Sequence, residues 1–199
     1  RLTKQQFEPV PVARGFWIVP SWHQPPADAT QIIRLDPGLA FGTGTHPTTR
    51  MCLRWLAGDG PGASAWTRGR ALDYGCGSGI LAIAAAQLGA APVVAVDIDP
   101  AAVEATRANA VANAVALQVG LPEAAQGRFE LVLANILATP LQLLAPLLCS
   151  HLQPGGWLVL AGILERQTET LQNAYAPWLK LSASDHLDGW VLLTGQREA

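Results

Sequence analysis

Short apolar runs of strand length alternate with longer segments of helical length over most of the chain. The strand-like runs are rich in Val and Leu with little polar interruption, as is typical of strands buried on both faces. They are Ala71–Asp73, Pro92–Asp97, Phe129–Ala134 and Trp157–Ala161. The segments of helical length that follow them are Ile80–Leu88, Ala101–Asn113, Pro140–His151 and Glu165–Tyr175. This alternation predicts an α/β fold with a doubly wound, mostly parallel sheet.

The two ends of the chain depart from this alternation. Leu181–Ala183 and Trp190–Thr194 are strand-like without a helix between them, which predicts a closing antiparallel pair. Residues 1–34 are rich in Pro and Trp and contain one short apolar run, Phe16–Val19. We expect this region to be an N-terminal arm or linker that contains a strand pair, and residues 35–199 to form the main domain.

Local signals mark the ends of several helices. Asp99 followed by Pro100 is typical of an N-cap with proline at the first helical position. Ser78 is predicted to cap the helix that begins at Ile80, and Gly89 to follow its last turn. A further helix is predicted from Thr48 to Leu56.

Composition limits the class of protein. The chain has 199 residues, of which 50% are hydrophobic and 14% charged, with a formal net charge of −2. Such an apolar content excludes a disordered chain, and the length fits one domain. No basic excess is available to neutralise phosphates, and no apolar run reaches the roughly 18 to 20 residues of a membrane-spanning helix. We therefore expect a globular protein that binds neither nucleic acid nor a membrane.

The cysteines and histidines do not form a recognisable metal-binding pattern. Cys52, Cys76 and Cys149 lie far apart, are odd in number and form no C-x-x-C pair. This pattern favours a reducing compartment, the cytoplasm, over a disulfide framework. The four histidines are scattered without ligand spacing, and we predict no metal site.

A glycine-rich loop between a strand and a helix carries the clearest chemical signal. Asp73 and the glycines Gly75, Gly77 and Gly79 lie in it, and Asp97 ends the next strand. A carboxylate in that place is suited to the hydroxyls of a ribose. The spacing is G-x-G-x-G rather than the G-x-G-x-x-G of dinucleotide sites, because position 80 is Ile.

An acid immediately before the glycines would repel a pyrophosphate, whereas it suits a ligand that carries an amino group and a sulfonium. We therefore predict S-adenosylmethionine rather than NAD as the cofactor. Asp73, Gly75, Gly77 and Asp97 are the residues expected to bind it.

Three segments together resemble one family. They are LDPGLAFGTGTHPTTR (Leu35–Arg50), ALDYGCGSGILAIAA (Ala71–Ala85) and LVLANILATPLQLLAPLL (Leu131–Leu148). All three closely resemble the bacterial ribosomal protein L-eleven methyltransferase family, PrmA. The resemblance implies the class I S-adenosylmethionine-dependent methyltransferase fold. It also implies N-methylation of a large-subunit ribosomal protein, the expected partner, at lysine side chains and the terminal amine.

The family's cofactor contacts can be carried onto this sequence one at a time. The resemblance places them at Thr49, Gly75, Asp97 and Asn135. The family normally has a small N-terminal substrate-recognition domain, and this chain begins near the linker that follows it. An alternative expectation is therefore a module that binds S-adenosylmethionine without turnover of its own.

Two residues are candidates for the chemistry on the amine. Asn135 ends a strand at the carboxyl edge of the predicted sheet, where its side-chain carbonyl, with a neighbouring backbone carbonyl, is suited to accept the protons of an amine. The alternative is that Asn135 caps the following helix. The loop Phe41–Thr49 is predicted to fold over the cofactor and to bring His46 near the amine. His46 is then either a proton acceptor or a structural residue of a His-Pro turn.

Overall fold

The computed structural model describes residues 7–36, 46–63 and 65–199. Within these ranges the chain forms ten strands and six α-helices. The strands are β1 Val10–Ala13, β2 Phe16–Val19, β3 Gln31–Arg34, β4 Ala71–Tyr74, β5 Val93–Val96, β6 Gln118–Gly120, β7 Phe129–Asn135, β8 Leu152–Leu164, β9 Ser182–Leu187 and β10 Trp190–Gln196. The helices are α1 Pro47–Leu56, α2 Ile80–Gln87, α3 Pro100–Ala112, α4 Ala138–Leu143, α5 Ala145–Ser150 and α6 Thr168–Tyr175.

Seven of the strands form one sheet in the order β6-β5-β4-β7-β8-β10-β9. The first five are parallel, and β10 runs antiparallel between β8 and β9. All four residues of β4 and of β5 are buried, which is why these strands read as unbroken apolar runs. The predicted α/β fold with a mostly parallel sheet and an antiparallel C-terminal pair is confirmed.

Successive residues of the strands serve two cores on opposite faces of the sheet. Ala71 packs in one core with α1 and α2, and Leu72 in the other with residues of α4, α5 and α6. Because side chains alternate along a strand, a run that is apolar throughout contributes side chains to the cores on both faces of the sheet.

The N-terminal strands form a second, smaller sheet in the order β1-β2-β3. Its apolar residues Phe16, Ile18 and Ile33 belong to the same core as α1 and α2. Two amides of the main domain bind the main chain of β3. The Gln87 side chain donates to the Ile32 carbonyl at 2.9 Å, and Asn113 both accepts from the Arg34 amide at 2.7 Å and donates to the Arg34 carbonyl at 2.9 Å. A domain boundary at residue 35 stays a prediction.

The helix-end signals were right in two cases and wrong in one. The Asp99 carboxylate accepts from the Ala101 amide at 2.9 Å at the start of α3, and Gly89, with φ +109°, follows α2, as predicted. Ser78 does not cap α2. The cap is Gly79, which has φ +87° and lies so close to the Thr106 side chain that no Cβ fits there.

The single helix expected over Pro140–His151 is also wrong. The structure divides it into α4 and α5 at Leu144. Pro146 explains the break, because a proline has no N–H to donate to the carbonyl four residues earlier and its ring collides with that carbonyl. None of the described helices combines the length and the apolar character needed to cross a membrane.

Candidate functional site

A cavity of about 430 Å³ opens at the carboxyl ends of β4, β5 and β7. Strands β4 and β7 are neighbours in the sheet, although β5 and β6 lie between them in the chain. The strand order therefore reverses there, and open α/β sheets bind ligands at such a point. The cavity is lined by His46, Thr48, Gly75, Gly77, Asp97, Asn135, Ile136, Leu137, Pro140, Gly162 and Trp190.

The glycine loop forms one wall of this cavity. Gly75 has φ +83° and Gly77 φ +56°, conformations that favour glycine. The amides of Gly75 and Cys76 donate to the Val96 carbonyl at 2.8 and 3.0 Å, which ties the loop to β5. A Cβ at Gly75 would lie 2.6 Å from a methyl of Ile136. Glycine is therefore needed there both for the backbone conformation and for space.

Helix α3 holds the same loop from behind. The Thr106 hydroxyl donates to the Gly77 carbonyl at 3.0 Å, and the Asn109 side chain donates to the Ser78 carbonyl at 2.8 Å. Thr106 is fully buried and also lies 3.2 Å from the Cys76 sulfur. Sequence reasoning missed both residues. The available signal was the helical spacing of Thr106, Asn109 and Asn113 on a helix that is otherwise rich in alanine.

Asp97 follows β5 and lines the cavity beside the glycine loop. One carboxylate oxygen accepts from the Gly77 amide at 3.0 Å, and the other accepts from the Asp99 amide at 2.9 Å. These bonds fix the carboxylate beside the glycine loop. Binding of ribose hydroxyls by this carboxylate stays a prediction.

Asp73 lies beneath the glycine loop and is not among the lining residues. It is buried, and its carboxylate accepts from the Ala82 amide in the first turn of α2 at 3.2 Å. Burial raises the pKa of Asp73 to about 7; the hydrogen bond from Ala82 opposes the rise, and the nearby charge of Asp97 adds to it. Direct contact between Asp73 and a cofactor stays a prediction.

Asn135 is the last residue of β7 and lines the cavity. Its amide nitrogen donates to the Thr49 hydroxyl at 3.3 Å, across 86 positions of sequence. Thr49 is buried in α1 behind this contact, and its neighbour Thr48 lines the cavity instead. Since α4 begins at Ala138 with Leu137 as its cap residue, the alternative that Asn135 caps this helix is wrong.

His46 caps α1 and lines the cavity at the same time. Its Nδ1 accepts from the Thr48 amide at 3.3 Å and lies 2.8 Å from the Thr48 hydroxyl. The ring meets Trp190 edge to face, with centroids 5.2 Å apart. The capping contact matches the structural interpretation of the His-Pro turn, and proton acceptance by His46 stays a prediction. The remainder of the loop expected to fold over the cofactor, Phe41–Thr45, lies outside the described residues.

Gly162 is the most constrained lining residue that sequence reasoning missed. It lies in β8 with φ +91°, and a Cβ there would overlap the carbonyl oxygen of Ile136. The segment that follows Asn135 therefore passes directly against the β8 backbone. A single glycine inside an apolar strand run was the signal, because such a glycine marks the close approach of another backbone.

Other lining residues that the sequence did not reveal are Thr48, Ile136, Leu137, Pro140 and Trp190. They come from α1, from the connection between β7 and α4, from α4 itself and from the start of β10. Most are apolar. Four of them lie within the segments that carry the family resemblance, but only the tertiary structure brings them to one place with Trp190.

The sequence of this chain is similar to that of proteins from one family. A family model described as ribosomal protein L11 methyltransferase (PrmA) matches residues 1–198. A ribosomal protein L11 methyltransferase of Polaromonas sp. (strain JS666) is 65% identical over 193 residues, which is 97% of this chain and 64% of that protein. One from Bordetella parapertussis is 54% identical and covers 98% of this chain and 66% of that protein. The chain thus spans about two thirds of the length of these relatives.

Solved structures give the same picture of the fold. A ribosomal protein L11 methylase from Lactobacillus delbrueckii subsp. bulgaricus has a TM-score of 0.81 and 33% identity, covering 97% of this chain and 100% of the other. A 16S rRNA methyltransferase from T. thermophilus, solved with AdoMet and guanosine, has a TM-score of 0.62 at 22% identity and covers 80% of this chain and 45% of its own. The second similarity concerns the fold alone.

Proposed function

The chain belongs to the ribosomal protein L11 methyltransferase (PrmA) family, and we propose that it transfers methyl groups from S-adenosylmethionine to amine nitrogens of ribosomal protein L11. The acceptors are lysine side chains and the terminal amine. The observation that carries the proposal is the position of Asn135: it lines the same cavity as Gly75 and Asp97, with its amide anchored by Thr49. The net charge of −2 supports a protein substrate over a nucleic acid, and a ribosomal substrate implies a cytoplasmic reaction.

The residues of the glycine-loop wall fit the cofactor. Gly75 and Gly77 leave backbone exposed where side chains would otherwise fill the space, and Asp97 offers a carboxylate to ribose hydroxyls. When bound, S-adenosylmethionine supplies a methyl carbon on a sulfonium sulfur, open to in-line attack by a neutral amine. The rest of the proposal concerns what the chain does to that amine.

The amine must lose its charge before it can attack. A free lysine has a pKa of about 10.4, so almost all of it is charged at neutral pH. Apolar residues Ile136, Leu137 and Pro140 line the acceptor side of the cavity and disfavour a charged group there. We propose that this desolvation lowers the pKa of the entering amine.

Asn135 then orients the nitrogen. Its amide nitrogen is bound to Thr49, which leaves the side-chain carbonyl oxygen to accept an N–H of the substrate. Such positioning of a nucleophile contributes about 7 to 11 kcal/mol in favourable cases. Thr49 acts in this proposal as a positioning residue. His46 forms part of the wall beside Trp190, and a pH–rate profile tests whether it also accepts a proton.

The decisive experiment compares Asn135→Ala with the chain itself. Labelled methyl transfer to purified ribosomal protein L11 is followed by mass spectrometry, and binding of S-adenosylhomocysteine by calorimetry. We expect the variant to bind S-adenosylhomocysteine within a few fold of the parent chain but to transfer at least a hundredfold more slowly. Asn173→Ala, an exposed asparagine on α6, is the matched control and leaves both unchanged.

Two results would contradict this function. Equal transfer by Asn135→Ala and the parent chain would remove the proposed role of Asn135. Binding of S-adenosylhomocysteine by the parent chain, with no methylated product, would favour the alternative of a cofactor-binding module without turnover.

A further inference from the structure

The stretch from Leu131 to Leu164 contains no Asp, Glu, Lys or Arg. Its strands β7 and β8 are buried in the sheet, so a lack of charge is expected there. Its helices α4 and α5, however, lie on the outside of the fold with one side in solvent. An exposed helical surface without a charged residue is unusual for a globular protein.

Apolar side chains project from this surface. Leu137 is 67% exposed, Leu143 77% and Leu147 40%, and the exposed Pro140 lies between the first two in sequence. We call these four residues the leucine face. The opposite side of the same helices is already packed, since Leu141 and Leu148 are completely buried. The leucine face is therefore not needed to hold α4 and α5 on the sheet.

The leucine face is continuous with the cavity. Leu137 and Pro140 belong to both, while Leu143 and Leu147 extend the apolar surface away from the opening along α4 and α5. Leu137 lines the same cavity as Asn135 and is exposed, so it is available to a polypeptide whose amine reaches Asn135. The residues of that polypeptide next to the amine would then lie along the leucine face.

We propose that the leucine face docks the methyl-accepting polypeptide through apolar side chains next to the target amine. This inference rests on the proposed function, because it names how the substrate of that same site is held. The stretch that carries the leucine face has no Asp, Glu, Lys or Arg, so the contact with the polypeptide would be made through apolar side chains rather than ion pairs.

The size of the surface favours a substrate over a second copy of the chain. Three partly exposed leucines and a proline offer on the order of a few hundred Å². A stable dimer needs about 800 Å² from each partner. A substrate that must be released after methylation is suited to the smaller contact.

The test introduces charge on the leucine face away from the cavity. Leu143→Lys/Leu147→Lys is compared with Leu143→Met/Leu147→Met, which keeps the surface apolar. Val111→Lys is the matched control, because Val111 is 82% exposed on α3, which packs against α2 and β6. The measurements are KM and kcat for methyl transfer to ribosomal protein L11, and calorimetry with S-adenosylhomocysteine.

We expect the double lysine variant to raise KM for ribosomal protein L11 about tenfold, with kcat within twofold and S-adenosylhomocysteine binding unchanged. The double methionine variant and Val111→Lys should match the parent chain. An unchanged KM in the double lysine variant would overturn the docking role while leaving the proposed function intact.

Two further outcomes separate the proposals. A parent chain that binds S-adenosylhomocysteine but methylates no protein would overturn the proposed function and this inference together. A parent chain that sediments as a dimer, and becomes a monomer in the double lysine variant, would show that the leucine face is a contact between copies and would overturn the substrate assignment.

Discussion

The two walls of the cavity are built in different ways. The cofactor wall, formed by Gly75, Gly77 and Asp97, comes from one continuous unit of strand, loop, helix and strand. The acceptor wall, which includes Asn135 and Trp190, is assembled from α1, β7, α4, β8 and β10. Main-chain hydrogen bonds and side chains from Asp97 and α3 hold the first wall, whereas side-chain contacts between more distant segments hold much of the second.

This difference separates two tasks. In the proposed function, the cofactor wall receives one fixed ligand and depends on backbone conformation, which local sequence can specify. The acceptor wall would admit a polypeptide, exclude water and orient a nitrogen, and it draws on residues with different chemistry from several elements. Changes in the two walls should therefore affect different steps, which the following predictions test.

The largest effect is expected where the acceptor wall depends on one glycine. Gly162→Ala places a Cβ at φ +91° and against the Ile136 carbonyl, so β7 and β8 must separate next to Asn135. We expect a loss of more than about 3 kcal/mol in the free energy of unfolding, measured in urea, and loss of methyl transfer.

Gly155→Ala is the matched control for that loss. Gly155 lies in the same strand with φ +81°, but nothing lies within 4 Å of its added Cβ. We expect backbone strain alone to cost about 1 to 2 kcal/mol there. Equal losses in the two variants would show that the contact with Ile136 is unimportant.

A smaller effect is expected from the buried acid beneath the cofactor wall. Because the pKa of Asp73 is raised from 3.8 to about 7, the folded chain binds more protons than the unfolded chain between these values. The stabilising contribution is fully present below about pH 4 and is lost as the pH rises to about 7. We expect Asp73→Asn to abolish this decline, which amounts to roughly 3 kcal/mol in the free energy of unfolding between pH 4.5 and pH 7.5, measured in urea.

Asp28→Asn, at an exposed carboxylate, provides the comparison for that pH dependence. This variant should show the same fall in the free energy of unfolding between pH 4.5 and pH 7.5 as the parent chain. The same pH dependence in the parent chain and in Asp73→Asn would assign the decline to other groups.

A substitution that loosens the cofactor wall should change the affinity for the cofactor and leave the rate of transfer unchanged. Thr106→Val removes the hydroxyl that donates to the Gly77 carbonyl and leaves that carbonyl unpaired. We expect KM for S-adenosylmethionine to rise about tenfold with kcat nearly constant. Thr106→Ser should restore the parent value. A fall in kcat with unchanged KM would contradict the division between the two walls.

The smallest effect is expected at His46. Asn is a good N-cap, so His46→Asn keeps an acceptor for the Thr48 amide. Its free energy of unfolding should stay within about 0.5 kcal/mol of the parent value. His46→Ala removes the acceptor and should lower the free energy of unfolding by about 1 kcal/mol. Nδ1 of His46 faces Thr48. We therefore expect the rate of methyl transfer by His46→Asn to depend on pH in the same way as that of the parent chain, on both the acidic and the basic side. Loss of the pH dependence on one side would instead establish His46 as a proton acceptor.

Sequence reasoning identified most of the sheet and about half of the cavity. The strands β4, β5 and β7 were clear because they are buried on both faces and read as apolar runs. Ser78 was mistaken for a cap because the close approach of Thr106 to Gly79 depends on how α3 packs. The break at Leu144 could have been read from Pro146, whose effect on a helix is local.

The sequence by itself determined the cofactor wall. Gly75, Gly77 and Asp97 lie within one strand–loop–helix–strand unit, where backbone conformation and short connections fix their relative positions. Only the tertiary structure decided the acceptor wall. Thr49 meets Asn135 across 86 positions, and Gly162 meets Ile136, because the sheet places β7 between β4 and β8. Such contacts follow from strand order and register, which no local pattern of residues specifies.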